Sequence, residues 1–330
     1  MLRAIIGLLL LPHLLFAAKL NDTISSLIDD CDPDLNVSVY AKNISTKQVL
    51  IDYASNRFMI PASVNKVFAA ASAEKLLGSD YRYRTIIAAN GDSKQIKQLI
   101  IKFDGDPSLH FSHLDDMVSQ TANQINHVSG DVVIDLGLMR VPSYAPGWMI
   151  EDTYFCYGAP LSSAIIDRNC LGFEIKDQGS GKLQMRAHNP SVSITNQASL
   201  GNCSEPMQID EHASEEGINL IISGCLSKKQ LGWHATPVKN LDVYLTSMIR
   251  FLLKKHNISY SGNVRIVRDS SGMEIASHES EPLTKIIRKA MKESDNLYTD
   301  QLFLTVASKY HPGVSEWEEA GRLVHKSLVK

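Results

Sequence analysis

Apolar and polar side chains alternate along residues 36–42 (NVSVYAK), a polar turn follows at 43–47, and residues 48–54 (QVLIDYA) resume the pattern. Alternation with period two suits a strand buried on one face, and two such runs around a short polar turn predict a β-hairpin. Pro61 then precedes an alanine-rich run that reaches Leu77 ahead of Gly78. Proline near the start, good helix formers behind it and glycine at the end predict a helix with Ser63 in its first turn.

The centre of the chain is mixed. Residues 98–103 (QLIIKF) read as a buried strand ending at the Asp104-Gly105-Asp106-Pro107 turn, with further strands at 130–135 (GDVVID), 217–224 (GINLIISG) and 265–267. Residues 113–126 have helical character and 143–148 (SYAPGW) read as loop. Over 237–255, Leu241, Tyr244, Leu245, Met248 and Leu252 fall on one helical face. The pattern from 282 to 309 is helical again, with Leu283, Ile286, Ile287 and Ala290 on one face, and Ser294-Asp295-Asn296 interrupts it. Two helices joined by so short a polar link put Ser294 and Asn296 at a corner.

Residues 1–18 (MLRAIIGLLLLPHLLFAA) carry Arg3, a leucine-rich run and two small residues before Lys19, which is a signal-peptide layout. The alternative is an uncleaved anchor, but the run is short for a bilayer span. No other stretch is apolar enough for a membrane, so a polytopic membrane protein is excluded. The expected location is exported and periplasmic. The 330 residues leave room for two domains, and 44% hydrophobic with 21% charged residues exclude a disordered or fibrous chain. A net charge of −3, from 33 basic and 36 acidic residues, gives no electrostatic case for a nucleic-acid partner. Export permits disulfides. None of the five cysteines forms a C-x-x-C pair, so zinc and thioredoxin chemistry have no support. Cys156 with Cys170 and Cys203 with Cys225 are plausible pairs, leaving Cys31, and each bridge would contribute roughly 3 kcal/mol.

Ser63-Val64-Asn65-Lys66 is an S-x-x-K. A serine hydroxyl is a poor nucleophile until a base takes its proton, and residues three apart share a helical face, so the Lys66 amine can reach Ser63. A lysine can act so only where desolvation or nearby positive charge lowers its pKa. The helix start also directs N–H groups toward a developing oxyanion. The same pattern occurs at Ser72–Lys75 and Ser327–Lys330, but only Ser63 follows a hairpin and opens an apolar helix. Ser294-Asp295-Asn296 is an S-x-N whose hydroxyl could relay a proton and whose amide could hold a substrate carbonyl; these residues are equally at home as helix caps. Ser261-Gly262-Asn263 matches too, in a turn. The histidines form no H-x-x-x-H pair and read as surface or turn residues. Asp167-Arg168 reads as part of an internal salt bridge, and Trp148 and Trp233 as packing anchors.

S-x-x-K followed by S-D-N is two thirds of the active-serine set of penicillin-binding proteins; no K-[ST]-G occurs from Asn296 to Lys330. The chain resembles the exported D-alanyl-D-alanine carboxypeptidases/endopeptidases of peptidase family S13, the penicillin-binding protein 4 type. PASVNK (61–66), YRYRT (81–85), GDPSL (105–109), GDVVID (130–135), APGW (145–148), YGAPLSSAIIDRNC (157–170), SHESEPL (277–283) and ESDNLYTDQL (293–302) carry the likeness. The resemblance implies Ser63 as acyl-ester nucleophile, Lys66 as its base, Ser294 as proton relay and Asn296 as a substrate contact. The fold it implies is α+β, an incomplete penicillin-binding, serine β-lactamase-like transpeptidase domain with an inserted strand-rich domain. The expected boundaries are 19–85 and 270–330 for the catalytic domain, ending before the K-[ST]-G strand, and 86–269 for the insert. An incomplete sheet predicts an unpaired edge and poor stability of the polypeptide alone. Peptidoglycan stem peptides are the expected substrate and β-lactams covalent inhibitors. No metal or cofactor is implied, because nucleophile and base come from the chain. The rival reading is a truncated, inactive family member that binds peptidoglycan, a β-lactam or a protein partner without turnover. β-Lactamase activity is a third, for which no water-holding Glu can be assigned.

Overall fold

The computed structural model describes residues 20, 22–28, 30–32, 34–92, 95–137, 144–179, 181–201, 207–310 and 317–329. The expected leader at 1–18 and Cys203 lie outside them. The chain separates into two compact units, Met1–Val64 and Asn65–Lys330. Among the described residues no helix is long and apolar enough to cross a membrane.

In the first unit residues 22–28 are helical, and β1 (Val39–Lys42) pairs antiparallel with β2 (Val49–Tyr53), as the alternation predicts. The turn is closed by the Asn43 amide donating to the Gln48 carbonyl at 2.8 Å. The Asn43 side chain accepts from the Ser45 and Thr46 amides at 3.0 and 2.9 Å, which is why asparagine suits this place. Among the described residues no third strand joins the pair. Phe58 and Ile60, which follow it, are fully exposed.

The second unit begins with α1 (Lys66–Leu77), β3 (Arg84–Asp92), β4 (Gln95–Lys102), α2 (Phe111–Ala122), β5 (His127–Val128) and β6 (Val132–Asp135). β7 (Cys170–Asp177), β8 (Leu183–Ala187), β9 (Ser193–Leu200), β10 (Gln208–Ser214), β11 (Gly217–Leu226) and β12 (Gly232–Pro237) follow. The rest comprises α3 (Leu241–Lys255), β13 (Ser259–Tyr260), β14 (Val264–Val267), β15 (Met273–Glu279), α4 (Leu283–Lys292), α5 (Asn296–Tyr310) and α6 (Trp317–Leu328).

β3 lies antiparallel between β15 and β4, while β4, β6 and β14 run parallel. Successive residues of β4 face opposite ways. Leu99 and Ile101 enter the main core with α2 and α3, and Ile100 enters a smaller one with Ala88 and Val133. β12–β7–β8 and β10–β11–β9 form two further sheets around the main core. The helix predicted over 237–255 starts at Leu241, because Pro237 still pairs with Cys170 as the end of β12. Trp233 is not the packing anchor expected of it. It is 62% exposed and its ring lies over Gly172, where a Cβ would come within 2.3 Å of it.

A separate helical core positions the candidate site. α1 packs on α5 and α6 through small side chains, burying Ala69, Ala70 and Ala73, and Tyr83, Leu283, Ile286, Leu302 and Val306 fill the space between helices. The Tyr83 hydroxyl meets Thr305 Oγ1 on α5 at 2.9 Å and its amide donates to Ser280 Oγ at 3.0 Å. α1 ends at Gly78, whose φ of 87° is closed to most L side chains. Ala159, Leu161 and Ile165 belong to this core as well.

Candidate active site

Ser63 opens a single 3₁₀ turn, Ser63–Asn65, and is exposed at the end of the first unit. The α-helix proper starts three residues later, so the predicted first turn is the tighter 3₁₀ kind. Lys66, the first residue of α1, is buried, unusual for a lysine.

α4 and α5 meet at the expected corner. Ser294 is exposed and takes a φ of 52°, the left-handed region that a side chain normally avoids. Asp295 is buried, with its amide donating to the Ala290 carbonyl at 2.9 Å. Its carboxylate accepts the Tyr298 amide at 3.2 Å and pairs with Arg168 at 2.6 Å, which is the internal salt bridge read from Asp167-Arg168. Asn296 is half-buried and begins α5.

Asp300 was not singled out by sequence, although it stands four residues after Asn296 and so on the same face of α5. Burial pushes its carboxyl up to about 7, while the charge of Lys66 and hydrogen bonding from Trp148 favour the ionised form. Asp300 and Trp148 line a small cavity with Tyr157, Leu161 and Leu297. Trp148 stacks on Tyr157 at 5.9 Å between centroids and is half-buried, the packing role expected of it. The structure thus ties Lys66 to α5 through Asp300 and sets Ser294 and Asn296 at the start of that helix.

A larger cavity of about 370 Å³ is lined by His110, His113, His278, Lys285, Lys289 and Tyr298, among others. The His113 and His278 rings stack at 4.0 Å, and burial pushes both below the ordinary histidine range. Among the described residues no cluster of three His, Cys, Asp or Glu is placed to hold a metal ion. Cys156 and Cys170 form a disulfide with 5.7 Å between Cα atoms, Cys225 is also disulfide-bonded, and Cys31 is free and exposed.

The chain is similar to known proteins in sequence and in fold. The model of the D-Ala-D-Ala carboxypeptidase 3 (S13) family matches residues 20–330. The chain is 29% identical to the D-alanyl-D-alanine carboxypeptidase DacB of Haemophilus influenzae over 94% of its own length and 67% of the relative's. It is 23% identical to a D-alanyl-D-alanine carboxypeptidase of an Actinomadura species, over 91% and 59%. The fold is similar to the crystal structure of penicillin-binding protein 4 from Haemophilus influenzae, with a TM-score of 0.75, covering 88% of this chain and 66% of that one. It is also similar to a structure of that protein complexed with a β-lactam, with a TM-score of 0.71, covering 90% and 67%. The chain therefore spans about two thirds or less of the length of the proteins it matches.

Proposed function

The chain belongs to the D-Ala-D-Ala carboxypeptidase 3 (S13) family, and from that premise we propose that it is a serine D,D-peptidase acting on the stem peptides of peptidoglycan. The observation that carries this reading is the local build of its two motifs. Ser63 stands exposed on one helical turn directly ahead of buried Lys66, and Ser294-Asp295-Asn296 forms a tight helix–helix corner. The leader-like N-terminus supports a periplasmic location. We read the catalytic domain as 19–85 with 270–330 around an insert at 86–269; Tyr83 and residues of α1, α4 and α5 sharing one core support joining 66–85 to the helices from 283 on, and Ala159, Leu161 and Ile165 of the insert enter that core too.

In this reading Lys66 takes the Ser63 proton as the hydroxyl oxygen attacks the carbonyl carbon of the penultimate D-alanine. The tetrahedral intermediate collapses, the C–N bond breaks, and the departing amine receives a proton through Ser294. Asn296 donates its carboxamide N–H to the substrate. Water then hydrolyses the ester. A β-lactam carbonyl offers the same electrophile, but its amine stays tethered after ring opening, so the adduct persists and the drug inhibits.

The test is release of D-alanine from a D-Ala-D-Ala peptide by the purified chain. The expected result is turnover that falls at least about 10³-fold in Ser63→Ala. Equal release by both proteins would overturn the nucleophile assignment, and a penicillin adduct without D-alanine release would favour binding without turnover.

A further inference from the structure

The turn before β7 is unlike the rest of the backbone. Asp167, Arg168 and Asn169 take φ values of 49, 64 and 50° in succession. The left-handed region is unfavourable for residues with a Cβ, so three together persist only where their surroundings hold them. Two of the three are tied to the segments beside the turn, at 160–166 and at 110–111. The Asn169 side chain, fully buried, accepts the Ile166 amide at 3.1 Å and donates to the Pro160 carbonyl at 2.9 Å. Asp167 Oδ1 accepts the Phe111 amide at 3.3 Å and faces His110 Nδ1 at 2.9 Å. Cys170, the next residue, is bridged to Cys156.

Arg168 reaches elsewhere. Its Nη2 meets Asp295 Oδ2 at 2.6 Å, and the Asp295 side chain is 2% exposed. The other carboxylate oxygen of Asp295 accepts the Tyr298 amide in the first turn of α5. Both oxygens are therefore committed, one to the strained turn and one to the helix. Ser294, the residue before Asp295, is exposed and itself left-handed.

We propose that Arg168 is a positioning residue for the reaction: by clamping Asp295 it fixes the backbone on which Ser294 and Asn296 stand. This rests on reading those two residues as proton relay and substrate contact. Arginine suits the task because its charge is permanent and its planar guanidinium fixes the direction of the carboxylate, which a lysine ammonium does not. The strain in the turn then has a use, since it aims the Arg168 side chain at the helix–helix corner.

Arg168→Met, Arg168→Lys and the neutral pair Arg168→Met with Asp295→Asn test this, using the whole chain and a fluorescent penicillin. In R168M the amides of residues 295–298 are expected to exchange with deuterium at least about ten-fold faster while α1 is unchanged, and acylation to slow by about 10–100-fold. R168K should lose about threefold. The neutral pair should regain the wild-type melting temperature, because no buried charge is left unpaired, yet stay slow in acylation, a result that a purely structural salt bridge would not produce. Wild-type acylation by R168M, or recovery by the neutral pair, would overturn the proposal. If the wild-type chain takes no label, the reading of Ser63 fails, and the exchange data decide the clamp alone: unchanged exchange at 295–298 in R168M overturns it.

Discussion

Replacing Lys66 by methionine is expected to slow acylation of Ser63 by a labelled penicillin about 10³-fold, the usual worth of a general base. The fold should survive, for two reasons. Lys66 is buried at the start of α1, and methionine fills nearly the same length without a charge. Replacing Lys66 also removes the charge that favours the ionised form of Asp300, which is half-buried. Burial already pushes that carboxyl up to about 7, and Lys66 is what pulls it down. Without Lys66 it rises further and is neutral at pH 7, so the cost of an unpaired charge is avoided. The measurement is the rate of label incorporation together with a thermal melt. Acylation within about threefold of wild type would show that another group removes the Ser63 proton.

The second large effect is on stability. Burial pushes the Asp104 carboxyl up to about 7, opposed by the Arg84 amide that donates to Oδ2 at 2.7 Å and helped by nearby Asp106. Oδ1 is buried without a hydrogen-bond partner. In the unfolded chain an aspartate titrates near its ordinary value, about 3.9. Between those two values the folded protein holds a proton that the unfolded chain has released, so stability falls as pH rises from about 4 to about 7 and is level above. Asparagine has no proton to lose. Urea unfolding from pH 4 to pH 8 should therefore show wild type losing about 2–4 kcal/mol more than Asp104→Asn. All other titrating groups are common to both proteins. Parallel pH profiles would mean that Asp104 is ionised at low cost in the folded state.

Much of this fold was legible because its signals are local. The hairpin at 36–54, the alanine-rich helix ending at Gly78 and the break at 294–296 each follow from turn chemistry and period. Strands β9 (SITNQASL) and β10 (QIDEHAS) carry no comparable signal. Most of their side chains are polar and at least half-exposed, only Ile194, Ala198, Leu200, Ile209 and Ala213 pack on the main core, and β11 pairs with both from between them. The residues that give S-x-x-K and S-D-N their meaning are as far apart in sequence as the motifs are close-knit. Asp300 carries no motif, and its relation to Lys66 exists only once α1 lies on α5. Arg168 could be read as half of a salt bridge, but its partner could not be named before the turn at 167–169 was seen aimed at Asp295. The likeness to the S13 family, read from eight short stretches, agrees with the match over residues 20–330.

Treating the whole chain with a penicillin and locating the adduct by peptide mass mapping decides whether Ser63 is the nucleophile. A single adduct on the peptide containing Ser63, absent from Ser63→Ala, is the predicted result. An adduct on any other residue, or unchanged labelling of the alanine variant, would contradict the account.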